Sequence, residues 1–187
     1  MTRFTVHTED SAPEAAKPLL AQSKATFGFT PNLLAVMAEA PGLLEAYQRV
    51  HELFAASSFS ADEKTVVWQT INVENACHYC VPAHTGIARS MQVADAITDA
   101  LRDGTPLPDA RLEALRSFTL QVVRQHGHLS DDQVQAFLDA GYTQRNVLEV
   151  ILGTSQKIMS NYTNHLADTP LDTVFQKFAW TPAGKAA

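Results

Sequence analysis

The chain has no run of about 20 apolar residues, no cluster of lysines or arginines, and only two cysteines. Each shortage excludes something. A transmembrane helix needs about 20 consecutive apolar residues, so no membrane partner is expected. Phosphate binding needs a basic face, and a net charge of -6 with no basic run argues against nucleic acid. Met1 to Asp10 are polar and mixed in charge, without the apolar centre of a secretory signal, so a cytoplasmic location is expected. Strand-like alternation is nearly absent, as are low-complexity segments and any dividing linker. The 187 residues, 45% hydrophobic and 18% charged, therefore read as one all-α domain, 1–187, with an ordinary core.

Turn residues mark where the helices stop and start. Pro13 opens a first helix that ends before Gly28. Thr30-Pro31 reads as an N-cap followed by proline at the first helical position. Pro41-Gly42 interrupts, and a helix follows to about Ala56. Ser60 caps the next, with Glu63 completing a capping box, and that helix runs to Asn75. Further helices are expected from Cys77 to Ser90, Val93 to Leu101 and Pro108 to Gln125. Ser130 starts another, with Gln133 in the box position and Gly141 as its stop. Thr143 begins the longest segment. There Val147, Ile151, Ile158, Tyr162 and His165 recur at helical spacing and give one apolar stripe with a polar end. Phe175, Phe178 and Trp180 mark a short tail element, and Thr181 to Ala187 a frayed end.

The two cysteines lie three residues apart, so a bond between them closes almost no loop and adds little stability. In a reducing compartment such a pair reads as redox chemistry or metal binding. On a helix entered near Cys77, residues Cys77, Cys80 and His84 fall at i, i+3 and i+7, on one face. A helix start also favours a thiolate. That alone does not make a peroxidase. Lowering a thiol pKa by about two units raises the thiolate fraction at pH 7 roughly 25-fold. The accompanying loss of nucleophilicity returns roughly 8-fold of it. A group that protonates the leaving oxygen is therefore also required.

Val66, Val67, Ile71 and Val73 form a broad apolar arc on the preceding helix, and Glu63 and Glu74 fall near its middle beside Thr70. A carboxylate on an apolar face is costly unless paired or protonated. Glu74 adjoins the cysteine turn, which makes it the expected proton-relay acid, with Glu63 in reserve. Capping or a salt bridge is the plainer account of either.

Three pieces of the chain form a pattern. They are Phe59-Ser60 opening a helix that ends in Glu74-Asn75; Cys77-His78-Tyr79-Cys80 followed by His84; and the run from Asn161 to Asp172, including Asn164, His165 and Pro170. This pattern resembles the alkylhydroperoxidase D-like (AhpD-like) branch of the carboxymuconolactone decarboxylase family, in its peroxidase-related subgroup, over about residues 31–180. The resemblance implies an AhpD-like helical bundle assembled as a homo-oligomer, a trimer or hexamer. It also implies that Cys80 is peroxidatic, that Cys77 resolves it and meets the reductant, and that His84 relays the proton. Two positions depart from the family pattern. Thr65 stands where a glutamate is common, and Tyr79 where a histidine occurs before the second cysteine, so the full relay does not carry over.

Cys77, Cys80, His84 and His78 form a weak zinc set, because structural zinc usually draws on two separated segments. Val81 stands where a c-type haem motif needs histidine. No metal or cofactor is expected. His165, with Asn161 and Asn164, reads first as a hydrogen-bonded core histidine and second as another wall of the pocket; Tyr79 reads equally as packing or as a substrate contact. The expected activity is thiol-dependent reduction of a hydroperoxide, with an external dithiol or protein reductant restoring the pair. The alternative is a redox-sensing or disulfide-exchange module with negligible turnover. A decarboxylase or lactone-processing role would leave the cysteine pair unused.

Overall fold

The computed structural model describes residues 4–182, so the frayed end expected beyond 182 lies outside the described residues. The described residues contain no strand. They form α1 (Lys17–Phe27), α2 (Asn32–Met37), α3 (Pro41–Ala55), α4 (Ala61–Glu74), α5 (Cys80–Ser90), α6 (Asp95–Asp103), α7 (Ala110–Arg124), α8 (Asp131–Asp139) and α9 (Gln144–Ala167), then a 3-10 helix at Thr173–Phe178. Side-chain caps start four of them. Ser60, Ser130 and Thr143 each close a capping box with Glu63, Gln133 and Asn146, and Asp109 caps α7. Gly28 ends α1 in the left-handed conformation that glycine takes freely. Thr30 is not the cap of α2. Pro31 precedes that short helix without a capping bond, and the cap comes from 140 residues away, where Asp172 Oδ1 accepts the Asn32 N–H at 3.0 Å.

Two apolar clusters share the interior. One gathers Phe54, Val66, Val67, Ile71, Leu101, Leu115, Phe118, Phe137 and Val150; the other gathers Leu20, Leu33, Leu34, Met37, Leu44, Tyr47, Cys77, Cys80 and Ala83. Helices α3 and α5 contribute to both. Helix α4 lies at the centre, packed on α5, α6, α7 and α9. Every residue from Thr65 to Asn72 is buried, polar ones included.

Glu63 and Glu74 of α4 are turned towards α7. The Glu63 carboxylate closes the capping box and receives Arg111 at 2.6 Å. Glu74 receives Arg124 through both oxygens at 2.8 Å, beside a surface depression shared with Val122 and Ile158. Neither acid borders the cavity at the cysteines. The expectation of a relay acid at Glu74, or at Glu63 in reserve, is therefore corrected: each carboxylate is neutralised by an arginine of α7.

Helix α9 buries a largely polar face. That face carries Gly153, Gln156, Lys157, Ser160, Asn161 and Asn164. The apolar stripe faces outwards: Ile151 is 48% exposed and Tyr162 54%, with Leu148 and Leu166 at 65% beside them. His165 is exposed with them. Gly153 allows α9 to approach α3 and α4, because a Cβ there would stand 2.7 Å from the Phe54 ring and 2.9 Å from Val67. An alanine gains about 1 kcal/mol of helix propensity, whereas overpacking a core costs typically about 1–3 kcal/mol. Gly153→Ala is thus expected to lower stability in urea unfolding. Gly42→Ala, at an open helical site, is expected to raise it or leave it unchanged.

Candidate active site

The cysteine turn is built by the end of α4. Asn75 caps that helix, and Ala76 follows at φ 51°. The Ala76 N–H reaches the Val73 carbonyl, and the Cys77 N–H reaches the Asn72 carbonyl at 2.9 Å. This is a Schellman stop with alanine where glycine is usual, at a cost of about 1 kcal/mol. Cys77 then takes over as the cap of the next turn. Its carbonyl accepts the Val81 N–H at 3.1 Å, and its sulfur accepts the Cys80 N–H at 3.2 Å. Cys80 therefore opens α5, later than the start at Cys77 read from the sequence; Cys80 and His84 border one cavity with Lys157 between α5 and α9.

Both thiols are free and buried. Across from them stands the buried face of α9. The Asn164 amide donates to Cys80 Sγ at 3.2 Å and lies 3.8 Å from Cys77 Sγ. Lys157 is 0% exposed, and its ammonium lies 2.8 Å from His84 Nε2. Asn161 donates to Asn72 and accepts from Asn75. Asn72 bonds Gln69, and Gln69 bonds the Val81 carbonyl and Thr85. This ladder joins α9, α4 and α5 behind the sulfurs and leaves few of its polar atoms unpaired.

The two thiols differ electrically. Burial pushes Cys80 up, but the Cys77 hydrogen bond, the Lys157 charge, and the Ser160 and Asn161 side chains outweigh it and bring Cys80 down to about 5. Cys77 is pushed up by its hydrogen bond to Cys80, by burial, and by the charge on Cys80. One thiolate and one thiol therefore coexist near neutral pH. Burial and the Lys157 charge push His84 well below the usual histidine range, so its ring is neutral. Burial also lowers Lys157, against the pull of both sulfurs, which makes it a stronger acid.

A cavity of about 350 Å³ opens onto this group. Its polar end holds Cys80, His84, Lys157, His51, Tyr47 and Tyr79, while Phe27, Phe29, Leu33, Leu34, Ile87 and Phe175 form apolar walls. Cys77 does not border it. No carboxylate does either. The Tyr79 hydroxyl is already engaged: it donates to Asp172 and accepts the Leu33 N–H at 3.2 Å, so Tyr79 supplies packing and a bond to the tail. His78 lies outside, with its Nε2 3.2 Å from the Thr169 carbonyl oxygen.

Three solved structures share this architecture. A protein described as an alkylhydroperoxidase AhpD core, peroxidase-related, from Ralstonia eutropha JMP134 aligns with a TM-score of 0.83 at 19% identity, over 93% of this chain and 94% of that one. The chain has the AhpD-like fold. A peroxidase-related protein from Silicibacter sp. TM1040 shares it at TM-score 0.79 and 18% identity, over 93% of each chain. So does a debrominase solved with 2,3,4-tribromopyrrole, at 0.76 and 17% identity over 95% of each chain. No protein-family model matches the chain, and a search of curated proteins finds no match.

The AhpD-like frame thus brings together Cys77, Cys80 and His84, excludes Glu74, and adds Lys157 and Asn164 from α9. Asn164 was legible as a candidate wall residue. Lys157 was not, because a lysine on an amphipathic helix reads as a solvent residue. If Lys157 sets the thiolate, Lys157→Met will move the alkylation midpoint of Cys80 upwards from about 5. Iodoacetamide rates at pH 6 should then fall several-fold, while rates at pH 9.5 converge with wild type. Unchanged midpoints would remove Lys157 from the site.

Proposed function

We propose that this chain is a thiol-dependent peroxidase acting on organic hydroperoxides, with Cys80 as the peroxidatic thiolate. One observation carries the reading: the sulfur lowered to about 5 is also the one that borders the apolar cavity, whereas its protonated partner Cys77 stands behind it. The Cys80 thiolate attacks the distal oxygen of the hydroperoxide. An S–O bond forms, the O–O bond breaks, and the thiolate becomes a sulfenic acid. The departing alkoxide takes a proton from the Lys157 ammonium and leaves as the alcohol. Cys77 then attacks the sulfenic sulfur, its thiol proton leaving with the hydroxide as water, and a disulfide results. An external dithiol or a reducing protein restores the pair by exchange. His84 is neutral and faces Lys157, so it holds the ammonium in place rather than acting as the acid.

The cavity volume sets the substrate size. An apolar cavity of about 150 Å³ accommodates benzene, and this one is more than twice as large. Cumene hydroperoxide is therefore expected to be reduced with a kcat/KM at least about tenfold above that for hydrogen peroxide. Cys80→Ser is expected to abolish turnover with the fold retained, and Cys77→Ser to stop after one turnover at a sulfenate that dimedone traps. Peroxide consumption undiminished in the Cys80 variant would refute the assignment.

The aromatic cavity and the debrominase among the fold neighbours favour a second reading, reductive removal of bromide from a bromoarene. The thiolate would take the bromine, a proton would take its place on the ring, and Cys77 would release bromide as the disulfide forms. Bromide release that exceeds peroxide turnover would decide for it. Redox sensing without turnover is separated by the same steady-state assay.

We further propose that a second copy of the chain covers the outward stripe of α9. Leu148, Ile151, Ile158, Tyr162 and Leu166 follow the three-and-four spacing of a helix–helix seam over a 24-residue helix. Ile158→Glu with Leu166→Glu should shift the sedimentation coefficient towards the monomer. An unshifted oligomer would place the interface elsewhere.

A further inference from the structure

A second histidine borders the cavity, and its proton can be placed from hydrogen bonds alone. The Trp68 indole N–H can only donate, and it lies 2.7 Å from Gln156 Oε1. The Gln156 oxygen is thereby assigned, and its other atom is the amide NH2, which can only donate. That nitrogen lies 2.9 Å from His51 Nδ1. Nδ1 is therefore the acceptor, and the His51 proton sits on Nε2. Gln156 is 0% exposed, so no water competes for these bonds. The ring plane is set as well. His51 is stacked on Trp68 at 5.8 Å and 16°, and on Tyr47 at 6.4 Å and 22°. Burial and the Lys157 charge push it down to about 4, so the ring is neutral in ordinary working conditions. With Nδ1 tied to Gln156, Nε2 is the ring nitrogen left for a ligand, and the ring borders the cavity that Cys80 and Lys157 share as well as a second depression with Gln48 and Glu52.

We infer that His51 is a substrate-binding residue whose Nε2–H donates a hydrogen bond to the leaving oxygen of the substrate. The inference rests on the proposed role of Cys80 and adds a second requirement on the substrate. Lys157 supplies the proton, while His51 orients the O–O bond before transfer and steadies the developing alkoxide. A neutral donor suits this task, since a second cation beside Lys157 would repel it. The ligand class follows: one acceptor oxygen joined to a bulky apolar group that fills the Phe27, Phe29 and Phe175 side. Preorganised donors at a developing oxyanion are worth up to 10²–10³-fold in rate, and this one is open to a less constrained cavity.

Two variants isolate the donor. In His51→Asn the side chain still meets Gln156 but is too short to reach the cavity. In His51→Gln the amide nitrogen falls near the place of Nε2. Should the asparagine variant fail to fold, His51→Phe keeps the stack between Tyr47 and Trp68. With cumene hydroperoxide, kcat/KM is expected to fall about 10- to 100-fold in H51N and to recover largely in H51Q, while the alkylation midpoint of Cys80 stays in place. Calorimetry with 2-phenyl-2-propanol, the product alcohol, gives a readout independent of turnover. Its affinity should drop about tenfold in H51N and return in H51Q. Equal alcohol binding by wild type and H51N would overturn the inference, even with peroxidase activity intact. If wild type reduces no hydroperoxide, the activity reading fails, and the loss of alcohol binding in H51N still supports the donor.

Discussion

The structure turns on one buried charge. Lys157 has no exposed surface and faces a cavity without a carboxylate. An isolated ammonium in such a place is too costly to keep, so it must pair or lose its proton. Its partners are the Cys80 sulfur and the His84 ring. Lys157 thus feeds two effects: it lowers Cys80 together with the Cys77 hydrogen bond, and it adds to the burial that keeps His84 neutral. The inward polar face of α9 is a third. Once a lysine is buried, the helix around it must carry the Gln156, Ser160, Asn161 and Asn164 groups that satisfy the surroundings. Gly153 provides the close approach of α9 to Phe54 and Val67.

Helix existence was legible because capping is local. Ser60 and Ser130 announce themselves with a partner three residues on, and both boxes form; Thr143 closes a third with Asn146, a partner outside the usual Glu/Gln pattern. What the periodicity left open was the sense of facing. An apolar stripe on a helix says which face avoids water, but not whether this chain's own core covers it. On α9 the core side is polar for chemical reasons, so hydrophobic periodicity pointed outwards and hid Lys157. Glu74 failed for a related reason. Its place on an apolar arc was correct, yet Arg124 on a helix 50 residues away neutralises it, and no local pattern reveals such a pairing. The cysteine turn was legible in composition but not in detail, since the Schellman stop uses Ala76 where the usual signal is glycine.

The two departures from the family pattern acquire physical content in this fold. Thr65 is buried on α4, and its hydroxyl finds no partner, so that position holds no acid and no relay. Tyr79 spends its hydroxyl on Asp172 and on the Leu33 N–H, which ties the tail and the start of α2 to the cysteine turn. Burial raises Asp172 even so. Tyr79 therefore serves as a structural bond. In the proposed cycle the proton comes instead from the opposite wall of the cavity, from α9 rather than from α4 and the turn.

That transfer changes the proton balance of the proposed cycle. The resting site holds one thiolate, one thiol and one ammonium, which sum to zero net charge. Alkoxide departure consumes the lysine proton as the thiolate becomes a neutral sulfenic acid, and the site is again uncharged. Disulfide formation consumes the thiol proton and releases water, leaving a neutral disulfide beside a neutral amine. The two hydrogens needed to turn a hydroperoxide into an alcohol and water are therefore both stored in the reduced site, and no proton has to cross the apolar walls during the chemical steps. A carboxylate relay would instead pass through a state with an extra buried charge or depend on a water path. In the proposed cycle the site carries its own protons, and the reductant returns both together with the electrons.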